Sequence, residues 1–301
     1  GGRLDSTNII TPVLGVITSI GLDHCALLGS TLAEIAAEKA GIMKPGVSCV
    51  IGETHPETAP VFDNYAAILQ TQTSAKSCQA TKTPQNVAAD VRAVTPGHKN
   101  AAKRGPGVQL VYADQVEPPG WGRREEILAA MDLQAPVQRK NLRTVLMALE
   151  LLRGKYPWEE EKVLYGIEHT AALMHFHGRW ERLTQKPLVI ADIGHNAHAL
   201  GSNFKALEAL NRPLIIVYGI MADKDLDSII PLMPRKAKYI FVAPDTPRAL
   251  PAKEIQKRAK GLKDTITAPS VKDGIKMAME EATDETVIYI GGSTFVVAEA
   301  L

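Results

Sequence analysis

The sequence lacks most of the marks that would place its chemistry at a glance. Its 301 residues hold no G-x-x-x-x-G-K-[ST] phosphate loop, and no G-x-G-x-x-G follows an apolar run. A dinucleotide-dependent dehydrogenase is opposed on that ground. Zinc-ligand spacing and a nucleophile elbow are also missing. Charge of either sign is not in excess: 34 Lys and Arg stand against 33 Asp and Glu, so no electrostatic argument favours a nucleic-acid or membrane partner. No apolar run reaches transmembrane length, and no signal-peptide pattern opens the chain. Cys25, Cys49 and Cys78 are odd in number and fit no metal spacing. They read as free thiols in a reducing, cytoplasmic setting. The chain opens on Gly1 rather than Met, from which we expect that something upstream is missing.

What is present reads as a soluble α/β protein, and its length favours two domains. Residues 12–20 are a β-branched apolar run, a buried strand. Thr31 with Glu34 three residues on forms a capping box for a helix that closes at Gly41. A strand at 47–52 and a helix at 55–69 follow. From Gln70 to Gly107 there is no Leu, Ile, Met, Phe, Tyr or Trp; this segment reads as a disordered insertion. A strand at 108–113 and helices at 139–153 and 158–171 complete the first part. Beyond Pro187, strands at 188–191, 214–219, 239–243 and 287–290 alternate with helices near 198–210, 226–233, 251–262, 270–282 and 294–301. Such alternation predicts a parallel sheet with helices on both faces. The expected domains are 1–180 and 187–301, with the boundary in WERLTQKP.

Several positions carry candidate chemistry. Leu32, Ile35, Ala36 and Lys39 share one helix face, so Lys39 projects from an apolar stripe. A buried ammonium is costly unless paired or chemically altered, whereas a lysine snorkelling from a helix end is the ordinary alternative. His24 follows the first strand, where ligands of parallel sheets gather; a hydrogen-bonded structural histidine is the competing reading. Asp192, His195 and Asn196 follow a second buried strand and offer donors and acceptors to a ribose or purine, although Asn196 alone fits a helix cap. Arg179 suits a phosphate, or is a solvated surface arginine. Lys224, between Asp223 and Asp225, suits a carboxylate or phosphoryl group, or belongs to an exposed charge cluster. Gly291-Gly292-Ser293 is a weak candidate for an anion-binding turn.

Taken together, these segments resemble the folylpolyglutamate synthase/dihydrofolate synthase family of the Mur-ligase superfamily. The resemblance rests on Gly1-Gly2-Arg3-Leu4-Asp5-Ser6-Thr7-Asn8, Ile17 to His24, Leu28 to Ile42, Gln138 to Asn141, Gly178 to Glu181, Asp192 to Asn196, Asp223 to Asp225 and Gly292-Ser293, all in family order. It covers the chain except about 70–107. It implies a Mur-ligase-type ATPase domain, N-terminally truncated, followed by a Rossmann-like domain. The implied reaction is ATP-dependent: a carboxylate of dihydropteroate or a folate becomes an acyl phosphate, which the amine of L-glutamate attacks.

By the same resemblance His24 matches a magnesium ligand, and Lys39 a lysine that becomes a carbamate. Leu4, Asp5 and Ser6 match a pterin contact. Asn141, Arg179, Asp192, His195 and Asn196 match the ATP side, and Lys224 lies near the incoming glutamate. ATP and Mg2+ are the implied cofactors, with K+ as a further ion, and a monomer is expected. Ser6, Gly194 and Ala197 replace the usual Ala, Ala and Pro. The larger departure is the missing phosphate-loop region. A muramyl-peptide ligase is disfavoured by the Gly-Gly-Arg-Leu-Asp and Asp-His segments; a non-catalytic remnant that binds nucleotide or a partner is the rival of another class.

Overall fold

The structure, a computed structural model, describes residues 2–22, 28–76, 109–119 and 121–301. These divide into two compact units: residues 1–124 with 139–158, and residues 125–138 with 159–301.

The first unit is built on three short parallel strands, β1 (Gly15–Ile17), β2 (Cys49–Ile51) and β3 (Leu110–Tyr112), in the order β1-β2-β3. Strand alternation sends Cys49 and Ile51 to one face and Val50 to the other. On the first face they meet Ile17, Ala36, Ala40, Phe62 and Ala66; on the other, Val50 packs with Ala113 and Met147. The covering helices are α1 (Leu32–Ala40), α2 (Ala59–Lys76) and α4 (Gln138–Arg153); α3 (Arg124–Ala130) precedes α4 in the chain. Helix α1 begins with the expected capping box: the Glu34 amide donates to Thr31 Oγ1, and the Glu34 carboxylate accepts from the Thr31 amide.

The second unit carries a six-stranded sheet, β4 (Glu181–Gln185), β5 (Leu188–Asp192), β6 (Leu214–Tyr218), β7 (Lys238–Phe241), β8 (Thr265–Thr267) and β9 (Val287–Gly291). Its order is β4-β5-β9-β6-β7-β8. β4 runs antiparallel to β5 and the other pairs are parallel. One face buries Leu200, Phe204, Tyr218, Phe241 and Tyr289, and the other Val189, Val217, Ile240, Ile290 and Val296. Burial on both faces is why the central strands read as unbroken apolar runs. The helices are α5 (Glu160–Glu168), α6 (Thr170–Met174), α7 (Ala197–Ala209), α8 (Leu226–Ile229), α9 (Ala252–Arg258), α10 (Val271–Glu281) and α11 (Thr294–Ala300).

Several boundaries differ from expectation. The segment 180–187, read as the domain boundary, contains β4, whose alternating exposed and half-buried residues make an edge strand rather than a linker. Residues 159–180 cluster with the second unit, not the first. The helix read at 55–69 continues to Lys76, seven residues into the segment read as an insertion; the remainder, 77–107, lies outside the described residues. The helix read at 158–171 breaks at His169. That read at 226–233 becomes a 3-10 turn over Ile230–Leu232, where Pro231 supplies no N–H to an α ladder.

Candidate functional site

In the first unit the N-terminal segment is tied to the end of α1. The Arg3 amide donates to the Glu38 carbonyl at 2.7 Å, and its guanidinium reaches the Glu38 carboxylate at 3.0 Å. Asn8 Nδ2 donates to the carbonyls of Arg3 and Gly41, at 3.1 and 3.0 Å, and Lys44 Nζ donates to the Asn8 carbonyl at 2.8 Å. Gly2 has φ 113°, and a Cβ there would stand 2.7 Å from the Glu38 carbonyl oxygen. Only glycine lets the loop approach so closely.

A cleft of ≈ 380 Å³ runs along β1, lined by Asp5, Thr7, Thr18, Ser19 and Lys39 among others. Asp5 is held by the hydroxyl and amide of Thr7, which keep its carboxyl below the usual range. Lys39 is half-buried, not fully buried, and its ammonium has no hydrogen-bond or ion-pair partner among the described residues. Leu4 is 79% exposed and Ser6 is exposed. Asp23 and His24 lie outside the described residues. Among the described residues no three His, Cys, Asp or Glu side chains gather as metal ligands. Asn141 lies on α4, half-buried.

In the second unit the candidates gather where β5 and β6 end, with Arg179 on the turn that opens the antiparallel strand β4 beside the end of β5. Asp192 ends β5 at 3% exposure. Its Oδ1 accepts from the Gly194 amide at 2.8 Å and from Asn203 Nδ2 at 2.6 Å, and its Oδ2 from the Trp180 amide at 2.9 Å. Burial raises its carboxyl above the usual range, while these donors and the Arg179 charge pull the other way. The turn 178–180 places Arg179 outside, exposed, between buried Gly178 and Trp180. It is tied to the next loop by the Ile193 amide, which donates to the Gly178 carbonyl at 2.9 Å. Half-buried His195 sets its Nδ1 3.1 Å from the Ile193 carbonyl. Asn196 caps α7, accepting from the Ala199 amide at 2.9 Å, so the cap reading describes its side-chain oxygen.

Lys224 lies on the loop after β6, half-buried. Beside it, Asp223 pairs with Arg248 at 3.1 Å, and Asp225 caps α8. Ser293 caps α11, and Gly292, with φ 97°, leaves room for the Gly219 carbonyl. The structure thus brings Arg179, Asp192, His195 and Asn196 onto two linked turns, with Lys224 on a separate loop of the same unit.

Two participants were given no role from the sequence, although Glu181 falls within a segment that carries the resemblance. Glu181 accepts from the Gly178 amide at 2.8 Å and pairs with His177. Asn203 reaches Asp192 from inside α7. Its signal was legible: an amide on the same helical face as Leu200, Phe204 and Leu207.

An open, mostly parallel sheet with its polar chemistry on loops past the strand ends is the ligand-binding arrangement of doubly wound α/β domains. Residues 178–294 match the family of the Mur ligase, glutamate ligase domain. Over its length the chain is 29% identical to the folylpolyglutamate synthase of Lacticaseibacillus casei, across 97% of this chain and 62% of that protein. It is 28% identical to the dihydrofolate synthase/folylpolyglutamate synthase of Bacillus subtilis, across 99% and 64%. Among solved structures, the bifunctional folylpolyglutamate synthase/dihydrofolate synthase of Yersinia pestis complexed with AMPPNP and Mn ion superposes with a TM-score of 0.72. That match has 22% identity over 100% of this chain and 63% of that one. The match to the glutamate ligase domain thus falls within the second unit, and the chain as a whole is similar to folylpolyglutamate and dihydrofolate synthases. It spans less than two thirds of the length of those curated relatives.

Proposed function

We propose that the chain is the larger part of an ATP-dependent ligase that joins L-glutamate to dihydropteroate, to a folate, or to both. The observation that carries this reading is the pair of linked turns presenting Arg179 and His195 beyond β5, inside the segment that matches the glutamate-ligase domain. In the reaction a substrate carboxylate oxygen takes the γ-phosphoryl group of ATP, releasing ADP. The glutamate amine then attacks the acyl phosphate carbonyl, and phosphate leaves with the C–O bond as the amide forms. Arg179 supplies positive charge to the transferring group. Asn141, Asp192, His195 and Asn196 serve the nucleotide side, and Lys224 pairs a carboxylate of the glutamate. The cleft bearing Asp5, with Leu4 and Ser6 beside it, takes the pterin-bearing substrate. A divalent metal, which we assign as Mg2+ with K+ as a further ion, would have His24 as its candidate ligand and Lys39, as a carbamate, to organise its site, and would neutralise charge on the phosphoryl group. The enzyme works as a monomer in the cytoplasm.

No phosphate loop lies within these residues, so the triphosphate cradle has to be supplied by further polypeptide. That same fact supports a second reading, a binding protein without turnover. The test is ADP release with dihydropteroate, L-glutamate and Mg2+. It is run on the 301-residue chain alone and on the chain supplied with the part of the Bacillus subtilis relative that it does not cover. We expect turnover only in the complemented protein. Turnover by neither, with nucleotide still bound, selects the second reading.

A further inference from the structure

Asn203 is the polar member of the buried stripe of α7, 5% exposed among Leu200, Phe204 and Leu207. A leucine would fill the same stripe, and an amide there is unfavourable unless its hydrogens are bonded. Its Nδ2 donates to Asp192 Oδ1 at 2.6 Å and to the hydroxyl of fully buried Tyr289 at 3.2 Å. Asp192 in turn accepts the Trp180 amide on one oxygen and the Gly194 amide on the other. Those two amides belong to the two turns that present Arg179 and His195. The first turn requires restraint, because Gly178 and Trp180 both hold left-handed backbone, with φ of 72° and 56°. For a tryptophan that conformation is strained.

We propose that Asn203 is a positioning residue: by fixing the Asp192 carboxylate in one orientation, it holds the Arg179 and His195 turns in register for the nucleotide. The proposal rests on the nucleotide reading of these two turns. Tyr289 supports the arrangement by accepting from the amide of Asn203. Without Asn203, Asp192 Oδ1 keeps a single donor and the carboxylate is free to turn about its last torsion. The Trp180 and Gly194 amides then lose a fixed acceptor, although the packing of the stripe is unchanged.

The test uses the 301-residue chain and Asn203→Leu. Hydrogen exchange is read at the Trp180 and Gly194 amides, and binding of ADP and of L-glutamate is titrated by calorimetry. The expected result is exchange at least tenfold faster at those two amides, ADP bound at least fivefold more weakly, and L-glutamate binding unchanged. Tyr289→Phe removes one hydroxyl and keeps the ring; it should move the same readouts by about twofold, and it decides the matter if Asn203→Leu does not fold. Unchanged exchange and ADP affinity, or exchange accelerated equally throughout the unit, overturns the proposal. If the unaltered chain binds no ADP, the titration is made on the complemented protein; no ADP binding there sinks the nucleotide reading instead, and the exchange arm alone then decides whether Asn203 holds the two turns.

Discussion

The two units differ in how completely they close. In the second, every residue of β5 and β9 is buried, and apolar side chains cover both sheet faces. In the first, each strand has three residues and β1 lies at the sheet edge, with Val16 39% exposed. Ile9 and Ile10, in the segment before it, are 91% and 58% exposed. The second unit is thus a self-sufficient core with polar turns added at one end. The first commits much of its hydrogen bonding to pinning the segment 2–8 around a cleft.

The largest effect should follow from opening the closed core. Phe204 is 1% exposed and meets Tyr289 edge-on, with ring centroids 6.2 Å apart. Phe204→Ala should cost the second unit about 3–5 kcal/mol. Denaturant unfolding followed by Trp180, in a single-tryptophan background, should show the loss, while Trp121 in the first unit should not. A common shift of both probes would mean that the units melt as one block.

The next effect belongs to the cleft. In the complemented enzyme Lys39→Ala should lower turnover about a hundredfold, on the order of 2.7 kcal/mol in the barrier. Lys39→Arg should not restore it, because a guanidinium does not add carbon dioxide as an amine does. A lysine that only snorkels would tolerate arginine, so full activity in Lys39→Arg rejects the carbamate reading.

The same contrast decided what could be read in advance. β5, β6, β7 and β9 were visible as apolar runs because both of their faces are buried. β4 and β8 were missed because edge strands are half polar: ERLTQ and TIT carry no run long enough to notice. In the first unit the Thr31–Glu34 box announced α1, since a cap is local chemistry. The work of Arg3 and Asn8 on α1 was not legible, because Glu38 and Gly41 stand 35 and 33 residues away from them. Asp192 was singled out for its place after a strand, yet its burial and its link to Asn203 depend on how α7 packs. Position along the chain indicated the turn, and only packing showed what holds it.

A smaller effect would sharpen the picture of the first unit. Asn8→Ala removes two hydrogen bonds to carbonyls, those of Arg3 and Gly41. A loss of about 1–2 kcal/mol is expected, read through Trp121, with the Trp180 transition unmoved. No change in either would show that Gly2 and Arg3 hold the segment without Asn8.

The smallest effect, and the one that sets the units most directly against each other, is their response to acid. Glu34 receives the Ser30 and Thr31 amides, at 2.8 and 3.1 Å, which lower its carboxyl below the ordinary 4.5. Its contribution to stability is therefore present above that value and lost as pH falls through the depressed one. Asp192 has the opposite sign: burial raises its carboxyl above the ordinary 3.8. Its share is present below that value and lost as pH rises through the raised one. Acidification from about pH 6 to about pH 3 should weaken the first unit through Glu34 and relieve the second through Asp192. Other carboxylates titrate over the same range, so each slope is best isolated by difference. The stability of the unaltered chain minus that of Glu34→Gln should shrink on acidification. A glutamine still completes the box but carries no charge. The same difference for Asp192→Asn should grow in favour of the unaltered chain, whatever its value at neutral pH. Slopes of the same sign would mean that the donors around Asp192 outweigh its burial, and that its carboxylate is held as firmly as the one capping α1.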